Sequence, residues 1–256
     1  MKYNYHTHTV RCHHATGEDR EYVETAISAG IKKMGFSDHA PFRYPDGFVF
    51  DSHVAPEQAE DYISSIEKLR EEYKDKIELH VGFETEFFPT YHKEKVEYYR
   101  SLGAEYLILG NHFLFDGYPN TVFATTPTTD ENLLCQFTNE LIQGMETGDF
   151  SYIAHPDMFY FTGDERVYER EVKRLCDASN RNGIPLEINL LGIRANRHYP
   201  RDRFWEIAGK TGVKTVFGMD AHTPKDAGDL TSAKRAYEMV EKYGLTFVED
   251  PKLLKL

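Results

Sequence analysis

Apolar positions along the chain fall into two alternating kinds of segment. Short runs that stop abruptly at polar residues read as strands: Tyr3-Asn4-Tyr5, Ile31 to Ser37, Ile77 to Phe83, Glu105 to Leu109, Ser151 to Ala154, Pro185 to Asn189 and Val213 to Gly218. Between them lie longer stretches with apolar residues three and four apart, the spacing of an amphipathic helix. Glu18-Asp19-Arg20-Glu21 opens the first with acids in its first turn, and Tyr22, Val23, Ala26 and Ile27 form its stripe before a stop at Gly30. Pro56 starts the second, with Ala59, Tyr62, Ile63, Ile66, Leu69 and Tyr73 as its buried face. Further helices are expected at His92 to Ser101, Asp130 to Glu146, Glu165 to Asn182, Arg201 to Thr211 and Leu230 to Tyr243, with Leu245 to Val248 as a short eighth strand-like run. Phe42 to Phe48, Phe113 to Thr129 and Leu190 to Pro200 carry turn residues and read as loops. Alternation of this kind, with no linker or repeat, implies one α/β domain over residues 1–256 built on a mainly parallel sheet.

The strand-like runs share a second property. The first ends at His6-Thr7-His8, a pair whose imidazoles leave a strand on the same face. Five of the others run out into His39, Glu84, His112, His155 and the Asp220/His222 pair, and His14 follows the first. A solvated histidine has no reason to track strand ends, whereas neutral imidazole is a common metal ligand. Nine candidate ligands (His6, His8, His14, His39, Glu84, His112, His155, Asp220 and His222) exceed the about four or five that one ion takes, and so suit two or three divalent metal ions. The mixture of imidazole and carboxylate fits Zn, Fe or Mn better than calcium or magnesium. Either His13 or His14 supplies the ligand at that point. An open doubly wound sheet would serve a switch point between a few strands only. Ligands at six strand ends converge at one mouth only if the sheet closes, so the expected fold is a (β/α)-type, TIM-like barrel, with seven strands or an eighth at the end, and the metal site at the C-terminal ends of the strands.

The remaining histidines read differently. His53 and His92, near helix starts, are expected to face solvent; His80 fills the sheet interior or supports a ligand; His198 lies in a loop. Clustered metals at an open position suit hydrolysis, because they acidify water and clamp phosphoryl oxygens. Glu84, Asp220 and His222 are the candidate catalytic groups, Glu84 as a carboxylate able to bridge two ions. Arg43, Arg194 and Arg197, with His198, are the candidates for gripping a phosphate, since the guanidinium fork matches its oxygens. Asp46, Asp116 and Asp157 are acids expected near the mouth.

Composition narrows the partners. The formal net charge is −12, which opposes binding of a nucleic-acid backbone and the basic track that an exonuclease needs. No apolar run approaches the roughly 18 residues of a membrane span, and no signal-peptide pattern opens the chain. Three widely spaced cysteines, Cys12, Cys135 and Cys176, read as reduced thiols of a cytoplasmic protein, with Cys12 a small buried residue.

Taken in order, His6-Thr7-His8, His14, Ser37-Asp38-His39-Ala40-Pro41, Gly82-Phe83-Glu84, Gly110-Asn111-His112, His155-Pro156-Asp157 and Asp220-Ala221-His222 resemble the motifs of the polymerase and histidinol phosphatase superfamily. The segment Glu187-Ile188-Asn189 through Gly192 and Arg194 to Tyr199-Pro200 is similar to the stand-alone histidinol-phosphatase branch. The resemblance implies a distorted (β/α)7 TIM-like barrel with a trinuclear centre: His6, His8, Glu84 and Asp220 for one ion, Glu84, His112 and His155 for the second, His14, His39 and His222 for the third, and Arg194 for the substrate phosphate. It implies hydrolysis of L-histidinol phosphate, a small-molecule phosphate ester, by a hydroxide held between ions; the alternative is a nucleotide or another small phosphate ester. The chain departs from that branch at Gly110-Asn111-His112, where Gly-Ser-Val-His is frequent, and in the long aromatic loop that follows.

Overall fold

The computed structural model describes all residues 1–256. Four strands form one run of parallel ladders: β1 (Tyr3–Asn4), β2 (Lys33–His39), β3 (Glu78–Thr85) and β4 (Leu107–Leu109). A second run joins β7 (Leu186–Asn189), β8 (Lys214–Gly218) and β9 (Thr246–Phe247), also parallel. Ile153 bridges Leu109 on one side and Leu186 on the other, and Thr7 bridges Ala221. The result is a curled parallel sheet wrapped by helices α1 (Asp19–Ser28), α2 (Ala59–Tyr73), α3 (His92–Leu102), α4 (Glu131–Thr147), α5 (Glu165–Asn182), α7 (Asp202–Thr211) and α8 (Leu230–Tyr243).

Local chemistry explains these boundaries. Glu18 and Glu21 form a capping box at the start of α1, and the Asp130 and Asp164 carboxylates accept from the first N–H groups of α4 and α5. On β3 the odd residues Leu79, Val81 and Phe83 join the core between sheet and helices, while His80, Gly82 and Glu84 face inward. Inside the curl, Tyr5, Tyr106, Ile108, Tyr152 and Val216 pack together, and the Tyr106 hydroxyl donates to the carbonyls of Tyr5 and Phe36 at 2.8 and 3.1 Å. This plug leaves the C-terminal strand ends as the open floor. The other end is crossed by the last residues: Asp250 accepts from the Tyr5 hydroxyl at 2.6 Å and from Lys33 at 2.9 Å, and the Leu256 N–H donates to Glu105 O.

Three expectations need correcting. The segment 113–129 is not wholly loop: β5 (Phe113–Leu114) and β6 (Val122–Phe123) pair as an antiparallel hairpin. Ser151 to Ala154 contributes a single bridging residue, Ile153, because the chain turns away at Ala154 into the His155 loop. The loop after β7 begins with a short helix, α6 (Leu190–Arg194), started by the Asn189 side chain accepting from Gly192 N–H. No helix is long and apolar enough to cross a membrane.

Candidate metal centre

Strand register brings the ligands together. In the β2–β3 ladder His39 lies directly beside Glu84. The Thr7–Ala221 bridge, with the His8 N–H donating to Ala221 O at 2.9 Å, sets the His6/His8 pair against the Asp220/His222 turn. Glu84 stands at the middle: His6 and His8 Nε2 lie 3.4 and 3.5 Å from its Oε2, His39 Nδ1 lies 3.3 Å from it, and His155 and His112 Nε2 lie 2.8 and 3.7 Å from Oε1. Asp220 Oδ1 is 3.2 Å from His8 Nε2, 3.2 Å from His222 Nδ1 and 3.8 Å from His6 Nε2. The His14 ring lies 4.8 Å from that of His222 and 5.2 Å from that of His39, and it is His14, not the adjacent His13, whose ring nitrogen groups with theirs. All nine candidate ligands therefore share one floor. Gly110 is required there, since a Cβ would collide with the Glu84 carboxylate, and a Cβ on Gly218 would collide with Glu187.

Further carboxylates orient the imidazoles from behind. His6 Nδ1–H donates to Glu187 at 2.8 Å, His8 Nδ1–H to Asp38 at 3.3 Å and His112 Nδ1–H to Glu86 at 3.1 Å, and His14 Nδ1–H donates to Cys12 O at 2.7 Å. Each contact engages Nδ1 and turns Nε2 into the centre, the arrangement that orients ligating histidines. Sequence reasoning passed over Glu187, Asp38 and Glu86 in this role, although each lies within two residues of a strand exit. Lys95 stands behind Glu86, its buried Nζ donating to Glu86 O at 3.2 Å and sitting 4.1 Å from the Phe88 ring centre; burial pushes this amine down to about 8.

The electrostatics favour cations. Burial alone would raise the Glu84 and Asp220 carboxyls. The imidazoles outweigh it, chiefly His6, His112 and His155 for Glu84 and His6 and His222 for Asp220, and hold both well below the usual carboxylate range. His14 is pushed down to about 4 by burial and by His222, and burial with His8 holds His39 well below its ordinary value, so both present neutral nitrogen. Burial also disfavours charge on His8, yet Asp220 and Asp38 lift it to about 9. His6 Nε2, His8 Nε2, Glu84 Oε2 and Asp220 Oδ1 are buried without a hydrogen-bond partner. Four such atoms aimed at one point would be costly in a purely structural cluster and fit divalent cations. The combinations His6/His8/Glu84, His39/Glu84/His112 and His14/His39/His222 each place their donor atoms within 4.8 Å of one another. Two residues of the floor, His155 and Asp220, hold positive φ angles of 29° and 46°, a strained region for side chains other than glycine.

A cavity of about 500 Å³ opens above this floor, with Arg197, Tyr199, Met158, Leu191, Phe113 and Phe123 among its walls. Arg197 reaches it, and its Nη1 donates to the Tyr199 hydroxyl at 2.8 Å. The other substrate candidates lie elsewhere. Arg194 is spent on backbone: its guanidinium donates to Met219 O at 2.6 Å and Asp220 O at 2.5 Å and pairs with Asp226 at 3.2 Å. Arg43 pairs with Glu57 on the surface, and His198 Nε2–H donates to Met158 O at 2.6 Å with its ring stacked on Tyr160. The acids expected at the mouth are absorbed by structure: Asp157 is buried and accepts from Trp205 Nε1 and Arg201 N, Asp116 accepts from Thr90, and Asp46 accepts from Phe48 N. His53 is not solvent-facing; it is buried, lines the cavity and stacks on His39 at 5.5 Å. His92 is mostly buried against Phe87 and Phe150, its Nε2 2.8 Å from Asp149. His80 lies at the opposite end of the sheet, away from every ligand, between Glu78 and Glu105. Cys12 is buried, its thiol donating to Thr9 O.

Comparison with known proteins agrees with this picture. A probable histidinol-phosphatase of Deinococcus radiodurans is 29% identical over 231 residues, 87% of each chain. A histidinol-phosphatase of Bacillus subtilis is 26% identical over 91% of this chain and 96% of its own. The crystal structure of histidinol phosphate phosphatase from Lactococcus lactis, complexed with zinc, L-histidinol and phosphate, superposes with a TM-score of 0.74 at 20% identity, covering 96% of this chain and 95% of that one. Residues 4–190, which carry seven of the nine clustered candidate ligands, match the PHP domain, and the chain belongs to that family.

Proposed function

We propose that this protein is a metal-dependent phosphomonoesterase that hydrolyses L-histidinol phosphate to L-histidinol and phosphate. The observation that carries the reading is the set of buried, unpartnered nitrogen and carboxylate atoms of His6, His8, Glu84 and Asp220 on the floor of an open cavity. The names of the Deinococcus and Bacillus relatives, and the ligands of the Lactococcus structure, support the substrate. The centre is inferred to hold three ions, through His6, His8, Glu84 and Asp220, through Glu84, His112 and His155, and through His14, His39 and His222. Such ions, when bound, acidify water and neutralise phosphoryl oxygens. The bridges at Ile153 and at Thr7–Ala221 support reading the curled sheet as a distorted seven-stranded barrel within a single domain, 1–256. Three free cysteines support a reducing, cytoplasmic setting.

The chain's own residues divide the work. Arg197, on the cavity wall, grips the phosphate; Arg194 acts through the backbone, fixing the Met219–Asp220 carbonyls so that Asp220 keeps its place. Asp220, held as a carboxylate, takes a proton as water attacks phosphorus in line. The phosphorus–oxygen bond to the alcohol breaks, and the proton returns to the leaving alkoxide. His222 Nδ1 lies 3.2 Å from the Asp220 carboxylate and helps fix its orientation. Phosphate release from zinc-loaded protein across a panel of esters tests the reading. L-histidinol phosphate is expected to exceed nucleoside monophosphates by roughly tenfold or more in kcat/KM. Comparable rates on nucleotides would reject the substrate, and no hydrolysis of any ester would reject the class.

A further inference from the structure

The hairpin β5–β6 faces the same cavity as the ligands. Phe113 follows directly on His112, so its ring starts one residue from the metal-binding floor. It pairs with Phe123 across the hairpin, their ring centres 5.4 Å apart. Phe50 stacks behind Phe113 at 4.5 Å with planes only 9° apart, which fixes the orientation of its ring. Of four large apolar side chains left well exposed in the whole chain, two lie on this hairpin: Phe115 at 41% and Phe123 at 43%. Only Phe123 of the two lines the cavity.

The hairpin is also pinned. The Phe115 N–H donates to Glu140 Oε1 at 2.8 Å and Asn111 Nδ2 to Glu140 Oε2 at 2.9 Å, while the Ala124 N–H donates to His112 O at 2.8 Å. An aromatic surface kept open to water beside a polar floor is unfavourable unless something apolar covers it. Its rigidity means that a ligand laid on it loses little extra freedom.

We propose that Phe113 and Phe123 form a stacking platform that selects phosphate esters whose leaving group carries a planar ring. The inference rests on the phosphomonoesterase reading and adds the feature by which the leaving group is chosen. With the phosphoryl group over the histidine–carboxylate floor, a ring on a short aliphatic link lies along the Phe113–Phe123 wall. Aromatic rings attract one another at centre-to-centre distances of about 4.5–7 Å, and a branched aliphatic group in the same space lacks that term.

Calorimetric binding of product alcohols separates this from the hydrolytic reading, because it needs no turnover. Zinc-loaded protein in the presence of phosphate is titrated with an imidazole-bearing amino alcohol, L-histidinol, and with an aliphatic one of similar size, L-leucinol. The wild type is expected to prefer the ring by roughly tenfold. Phe123→Ala should weaken L-histidinol by more than L-leucinol and so erase that preference, Phe123→Tyr should restore it, and Phe115→Ala should leave it intact. In kcat/KM the Phe123→Ala loss should be larger for ring-bearing esters than for aliphatic ones. The platform is overturned if Phe123→Ala leaves the preference unchanged, weakens both alcohols equally, or is matched by Phe115→Ala. Ring preference in binding with no ester hydrolysed would sustain the platform and reject the phosphatase.

Discussion

The two ends of the curled sheet are built from the same residue types and use them oppositely. At the N-terminal end His80 meets Glu105 at 3.1 Å and Glu78 at 2.9 Å, and Asp250 meets both Lys33 and the Tyr5 hydroxyl. These side chains have found complements in one another, and His80 stays partly in water. At the C-terminal end His6, His8, Glu84 and Asp220 are buried, yet each keeps one atom without a hydrogen-bond partner. A chain that can satisfy histidine with carboxylate at one end, and leaves the same pair unfinished at the other, has shaped the second for something it does not itself contain. Identity of residues does not distinguish a structural cluster from a functional one; completeness of pairing under burial does.

The sharpest way to break this contrast is at its centre. Glu84→Gln removes the carboxylate that faces five imidazoles. Bound zinc measured by atomic absorption, and hydrolysis with it, should fall by more than the roughly hundredfold upper figure for removing a mere orienting partner. Retention of zinc and activity would erase the distinction between the two ends.

Lys95 gives the next largest effect. Its folded pKa is about 8, against an ordinary 10.5, because of burial. Between those values the unfolded chain binds the extra proton, so stability rises with pH through this window and the penalty is constant below it. In urea unfolding at matched metal content, wild type should gain on Lys95→Met by on the order of 3 kcal/mol from pH 8 to 10.5. A flat difference would mean that burial does not lower the Lys95 amine below its ordinary value.

Glu187→Gln should keep the fold and weaken zinc binding by roughly ten- to a hundredfold, because His6 loses the partner that sets its tautomer. Zinc titration against a chelating dye reads this directly. Smallest of all, His80→Ala at the satisfied end should shift stability by no more than about 1 kcal/mol and leave zinc content unchanged, since its partners are partly exposed. A His80 variant that lost metal would show the two ends to be coupled.

The strand-end histidines were legible because a parallel strand buried on both faces reads as an apolar run, and its first polar residue marks the exit. That logic reached His39, Glu84, His112 and His155. It could not reach β5 and β6, two-residue strands whose aromatic residues show no alternation, nor the single bridging residue at Ile153. His53 looked like a helix-start residue and is instead folded under the 40–53 loop, a tertiary event with no local signature. Arg194 shows the limit on the polar side: its position after a strand marks it for the mouth, but only the coordinates reveal that Met219 and Asp220 carbonyls already hold its guanidinium. Asp38 and Glu86 sit beside ligands in sequence, yet whether a carboxylate meets an ion or the back of an imidazole depends on side-chain direction.

The backbone at His155 and Asp220 is wound the unfavourable way, at cost of order 1–3 kcal/mol each. Coordination through those same two side chains would hold the loops in that shape, so bound ions would also act as rivets of the native chain. Free zinc in the medium then becomes a thermodynamic variable for folding itself. A melting temperature for this protein acquires meaning only beside a stated ion concentration.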